Sequence, residues 1–185
     1  MERPTDIQIV ARAADFAARR HTHQRRKGEA MEPYFNHLAH VAVLLADAGA
    51  DANLVAAGYL HDAIEDQGVS QAELSDAFGP DVAELVALAT DDKTLPKERR
   101  KRLQVEHAPH LPPRAQMLKM ADKISNLEAL LTSPPRDWPL QRRQAYFDWA
   151  REVVDGCRSA HAGLAAQFDE LYARREQAPP QGTLV

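Results

Sequence analysis

Alanine and leucine supply 51 of the 185 residues, 32 and 19 respectively. Valine, isoleucine and threonine together supply 21. Alanine and leucine lose least on entering a helix, whereas β-branched side chains favour strands. The chain is therefore expected to be all-α, and the spacing of its apolar residues agrees. Thr5-Asp6-Ile7-Gln8 has the form of a capping box. Ile7, Val10, Ala11, Ala14, Ala17 and Ala18 follow at helical intervals. This helix should end in the basic stretch Arg19 to Lys27, and Gly28 to Pro33 reads as a loop.

Asn36 is expected to cap a second helix carrying Val41, Leu44, Leu45 and Ala48, stopped by Gly49. Asp51 should cap a third that runs unbroken through Leu54, Val55, Leu60 and Ile64 to Asp66, with Gly68 beyond. Ser70-Gln71-Ala72-Glu73 is a second capping box, for a short helix ending at Gly79, and Pro80 to Ala89 makes another. Thr94-Leu95-Pro96 breaks the chain before a highly charged helix. Pro109, Pro112 and Pro113 mark a loop, Arg114 to Leu131 is periodic again, and Ser133-Pro134-Pro135 ends it. Two last helices are expected around Leu140 to Val154 and Ala160 to Arg174.

Charge and cysteine content bound the function. With 27 acidic and 23 basic residues the formal net charge is −4, unlike a protein built to coat nucleic acid. Cys157 is the only cysteine and cannot form an internal disulfide. The N-terminus does not read as a signal peptide, and no apolar run approaches the roughly 20 residues of a membrane span. The expectation is a soluble cytoplasmic protein with neither nucleic acid nor membrane as partner.

The chemistry concentrates at Leu60-His61-Asp62-Ala63-Ile64-Glu65-Asp66, where four ionisable residues interrupt an apolar helix. On one continuous helix these groups share a side, and three carboxylates crowded together repel unless a positive charge sits among them. A divalent cation would supply it; a solvated acidic helix end is the plain alternative. Asp122 lies inside the apolar stripe Met117 to Leu127, and a buried carboxylate is costly unless paired or metal-bound. Its ordinary explanation is a salt bridge to Lys119 or to a neighbouring helix. For His37 that explanation is helix capping, and for His40 surface exposure.

The order His37, His61-Asp62, Asp122 resembles the H…HD…D signature of the HD superfamily of metal-dependent phosphohydrolases, with separations of 24, 1 and 60 residues. Arg25-Arg26-Lys27, Glu32-Pro33-Tyr34-Phe35-Asn36-His37 and His61 to Asp66 resemble the hydrolase domain of the RelA/SpoT alarmone enzymes. So do Thr90 to Lys97, Arg99-Arg100-Lys101, Lys119 to Leu127 and Tyr146-Phe147-Asp148-Trp149-Ala150. These motifs are most similar to the stand-alone small alarmone hydrolases of the metazoan SpoT homologue type. The chain departs from the family at Leu38, where proline is usual, at Ala63 and Gln67, where threonine is common, and at Ser125, where an aromatic is frequent.

The resemblance implies a single HD-type helical bundle of about eight to ten helices over residues 1–176, with 177–185 a flexible tail and no room for a synthetase domain. It implies that His37, His61, Asp62 and Asp122 bind one Mn(II) ion per chain, a ligand set that also suits a borderline-to-hard divalent ion chemically. Glu65 and Asp66 match the family's catalytic pair, expected to orient water and shuttle protons, though either could instead support a ligand histidine. The implied substrate is (p)ppGpp, cut to release pyrophosphate from the ribose 3′ position. Arg26 and Lys27 match a pair that lies against guanine. Asn126, four residues after Asp122, shares its helix face, and Tyr146 matches a position near the nucleotide or is an ordinary core aromatic. Lys97 and Arg102 are further candidates for phosphate; the other bases of residues 19–27 and 93–102 read as solvated faces. Two other readings remain open: an HD nucleotide phosphatase acting on NADPH or another phosphorylated nucleotide, and a nucleotide-binding sensor without activity.

Overall fold

The computed structural model describes residues 4–177. Ten α-helices are present among them, with short 3-10 turns and no strand beyond one isolated bridge, Arg25 to Pro33. In chain order the helices are α1 (Asp6–Arg20), α2 (Phe35–Asp47), α3 (Ala52–Leu60), α4 (Ala63–Gln67), α5 (Gln71–Phe78), α6 (Pro80–Ala89), α7 (Lys97–His107), α8 (Pro113–Thr132), α9 (Leu140–Asp155) and α10 (Ala162–Ala173). The segment 178–185, most of the expected tail, lies outside the described residues.

Local chemistry sets most boundaries. Thr5 and Gln8 satisfy each other's backbone amides in a full capping box at α1. Asp51 Oδ1 accepts from the Leu54 amide at the start of α3. Ser70 Oγ accepts from the Glu73 amide, but the Glu73 carboxylate pairs with Arg20 instead of completing the second box. Two expectations change. The second helix begins at Phe35, behind Tyr34, with no side-chain cap, so Asn36 does not cap it. The helix begun at Asp51 stops at Leu60, and α4 starts afresh at Ala63. His61 Nδ1 lies 2.8 Å from the Gly58 carbonyl, taking up the acceptor that a continuing helix would give to the Asp62 amide. Gly68, at φ 66°, then closes α4 in the left-handed conformation that glycine adopts without strain.

Helix α3 packs against α1 and α2, and the long α8 receives α2, α6, α9 and α10. Twelve residues of α8 are buried. Leu38, Leu45, Leu54, Leu60, Leu118, Met120, Ile124, Leu127, Phe147 and Phe168 make the fully buried centre. Each such side chain contributes roughly 1.5–3 kcal/mol by leaving water. Polar groups inside α8 are satisfied: Lys119 Nζ donates to the Ala89 carbonyl at 2.7 Å and Gln116 to the Ala108 carbonyl at 3.0 Å. No helix among the described residues is long and apolar enough to cross a membrane.

Candidate metal centre and adjoining cavities

Three elements bring the His-Asp residues together. His37 sits in the first turn of α2, His61 and Asp62 in the turn between α3 and α4, and Asp122 mid-way along α8. His37 Nε2 lies 3.3 Å from Asp122 Oδ1 and 3.9 Å from Asp62 Oδ2; His61 Nε2 lies 3.2 Å from Asp62 Oδ2 and 3.8 Å from Asp122 Oδ1. One donor atom from each of His37, His61 and Asp122 falls within 4.8 Å of the others. Such spacings suit donors around one ion at about 2.1 Å.

Both imidazoles present the same nitrogen to this centre. His61 donates from Nδ1 to the Gly58 carbonyl, which leaves Nε2 as the inward atom, and that atom is buried with no hydrogen-bond partner. His37 Nδ1 is engaged by Ser125 Oγ at 2.9 Å, so its Nε2 also faces inward. An orphaned buried nitrogen beside two carboxylates fits a cation held there. Without a cation the cluster balances itself with a proton. Burial opposes a charge on His61, but the carboxylates, Asp62 foremost, raise its pKa to about 9. Burial, helped by the charges of Arg26 and His61, lowers His37 to about 4. Burial works against ionisation of Asp62 and Asp122, yet His61 keeps Asp62, and Lys123 keeps Asp122, below the usual carboxylate range. Asp62 also accepts from the Tyr34 hydroxyl at 2.5 Å.

Glu65 and Asp66 lie on α4, one turn beyond Asp62, and each is held by cations or amides of neighbouring segments. Glu65 accepts from the Asp91 amide at 3.2 Å, with Arg100 at 3.5 Å and Lys93 at 3.9 Å. Burial raises its pKa, and the Asp91 amide and Lys93 pull against that. Asp66 is gripped by Lys93 at 2.5 Å and by Gln24 Nε2 at 2.7 Å. Gln24 is oriented in turn by His21 Nδ1 at 2.6 Å and Gln67 at 2.7 Å, and His21 stacks on Tyr34.

A cavity of about 410 Å³ adjoins the cluster, lined among others by Arg26, Lys27, Tyr34, Asp66, Asn126 and Tyr146. Asn126 donates to Asp122 at 2.7 Å and accepts from Arg26 at 3.2 Å, so one side chain links the cluster to the cavity. The Arg26 guanidinium stands 5.9 Å from the Tyr34 ring centre. A second cavity of about 450 Å³ shares Lys27, Trp138 and Tyr146 with the first and is lined by Lys97, Arg100, Lys101 and Arg142. Tyr146 lies between Trp138 and Trp149 at the junction, its pKa pushed by burial to about 12.

Of the residues singled out from sequence, Arg26, Lys27, Asn126, Tyr146 and Lys97 line these cavities, while Arg102 is exposed on α7 and lines neither. Arg100, two positions earlier, is the cation of that helix that reaches Glu65. Asp122 pairs with Lys123 at 2.9 Å, not with Lys119. His40, expected at the surface, is part-buried against Ser125. Tyr34 was visible only as part of a motif, and nothing in the spacing of Gln24, Lys93 and Arg100 marks them as partners of the carboxylate pair.

The HD domain family matches residues 13–146. A Xenopus tropicalis protein named guanosine-3′,5′-bis(diphosphate) 3′-pyrophosphohydrolase MESH1 is 44% identical over 170 residues, covering 91% of this chain and 95% of its own. This chain belongs to the HD domain family, in its MESH1 group. The MESH1 of Homo sapiens is 46% identical over 165 residues, covering 88% of this chain and 92% of its own. A solved structure of a metazoan ortholog of SpoT, described as hydrolysing ppGpp with a role in starvation responses, superposes with a TM-score of 0.88 at 38% identity, covering 95% of this chain and 98% of that one. The fold of that SpoT ortholog thus extends over 95% of this chain.

Proposed function

We propose that this protein is a Mn(II)-dependent guanosine-3′,5′-bis(diphosphate) 3′-pyrophosphohydrolase. It removes the 3′-pyrophosphate of ppGpp or pppGpp, gives GDP or GTP plus pyrophosphate, and so relaxes the stringent response. The observation that carries the reading is the unpartnered Nε2 of His61, buried among His37, Asp62 and Asp122 beside a cavity that Arg26 and Lys27 line. The activity in the names of the MESH1 relatives supports it. We place the protein in the cytoplasm, in keeping with a buried, unpaired Cys157.

His37, His61, Asp62 and Asp122 would hold one Mn(II) ion, which when bound supplies a Lewis acid and makes water a nucleophile at neutral pH. Glu65, its pKa raised by burial, takes a proton from the attacking water. Asp66, fixed by Gln24 and Lys93, orients that water and relays a proton to the departing ribose 3′ oxygen. Arg26 stacks on the guanine, and Asn126 holds the nucleotide in register with the cluster. Lys97 and its neighbours Arg100 and Arg142 offer the second cavity to the remaining phosphates.

Pyrophosphate release from ppGpp is the test, run on chelator-stripped protein with and without Mn(II), alongside phosphate release from NADPH. Hydrolysis of ppGpp only with Mn(II), lost in Asp62→Ala with the helical spectrum kept, is expected. Full hydrolysis by the stripped protein would sink the reading; faster turnover of NADPH would move it to the phosphatase alternative.

A further inference from the structure

Two side chains beside the cluster take no part in the chemistry above. Ser125 departs from the family's aromatic, and His40 lies outside the motifs that carry the resemblance. They meet: Ser125 Oγ lies 2.9 Å from His37 Nδ1 and 3.0 Å from His40 Nδ1, and His40 Nε2 lies 3.4 Å from Glu128 Oε2. His37 and Ser125 are each 3% exposed. Both line a small cavity of about 230 Å³, with Arg26, Asn36, His40 and Glu128 around it.

Hydrogen-bond capacity fixes the direction of this chain. A histidine that offers Nε2 to a cation must carry its proton on Nδ1. His37 Nδ1–H therefore donates to Ser125 Oγ. The single Ser125 hydroxyl proton then goes to His40 Nδ1, which accepts it. Beyond His40, its Nε2 lies 3.4 Å from the half-exposed Glu128 carboxylate.

We propose that Ser125 and His40 are positioning residues for the metal centre: a one-way hydrogen-bond chain, His37 to Ser125 to His40, holds His37 in its metal-binding tautomer. The proposal rests on the metal-centre reading given above.

Titration of stripped protein with Mn(II), followed by loss of the free-ion electron paramagnetic resonance signal, tests it without substrate. Ser125→Ala leaves the His37 Nδ1–H buried without an acceptor and is expected to weaken Mn(II) binding by roughly 10-fold or more. Ser125→Thr keeps the hydroxyl and should bind as the parent does. His40→Leu removes the acceptor of the Ser125 hydroxyl proton and should fall between them. Thermal unfolding of the metal-free proteins separates positioning from packing. Positioning leaves the metal-free midpoint of Ser125→Ala near that of the parent and shrinks the rise on adding Mn(II). A lowered metal-free midpoint with an undiminished rise overturns the proposal, as does parent-like Mn(II) affinity in Ser125→Ala. A parent that binds no Mn(II) would instead refute the metal centre itself, and the chain with it.

Discussion

Burial lifts the Glu65 carboxyl above the ordinary glutamate range, while the Asp91 amide and Lys93 pull it back. A base must be ionised to accept a proton, so the acid limb of the rate should fall above the usual glutamate pKa. Lys93→Gln removes a cation 3.9 Å away and should push that limb further up in pH. A pH–rate profile of the two proteins checks this, and Glu65→Gln should lower kcat by about 100-fold or more with KM little changed. At this scale the residues that cluster were legible because the His-Asp pair and Asp122 are ionisable residues set in apolar stretches. Their partners were not. Asp122 had two lysines within three positions, and only the packing of α8 against α6 sends Lys119 to the Ala89 carbonyl and leaves Lys123 for the carboxylate. Ser125 and His40, 85 positions apart, carry no mark in the sequence that they meet.

Helices α2 and α3 cross at Gly58. A β-carbon there would stand 3.0 Å from Leu45 Cδ1 and 3.1 Å from the Ala42 Cα, so α2 would have to give by a few tenths of an ångström to admit it. Because α2 carries His37 and the end of α3 carries His61, the spacing of these helices is also the spacing of the two imidazoles. Gly58→Ala should cost about 1–3 kcal/mol in denaturant unfolding by overpacking, and should weaken Mn(II) binding although residue 58 touches no ion. Most element positions followed from caps and periodicity. The break after Leu60 did not, because Leu60 to Asp66 keeps its helical spacing through the interruption. Side-chain capture of the Gly58 carbonyl by His61 decides it. The α4 turn that follows carries Glu65 and Asp66, which pair with Arg100 and Lys93.

Taken as one molecule, the bundle closes around a site that gathers the carboxylates of Asp62 and Asp122 beside two buried imidazoles. A resident cation should therefore stabilise the whole domain. At Mn(II) one hundred times above its Kd the gain is about 2.7 kcal/mol, which raises the unfolding midpoint of a domain this size by roughly 5–10 °C. Calorimetry with and without chelator measures it, and an unchanged midpoint would count against a folded-state metal site. The arrangement around Tyr146 has an optical consequence. Trp138 and Trp149 are the only tryptophans in the chain, and both flank that ring where the two cavities join. Arg142 lies over one indole at 4.3 Å and Lys123 over the other at 4.6 Å. All tryptophan emission from this protein therefore originates at the junction. A nucleotide that draws those cations toward its phosphates should change the yield and wavelength of that emission, so the unlabelled protein reports its own occupancy in a fluorimeter.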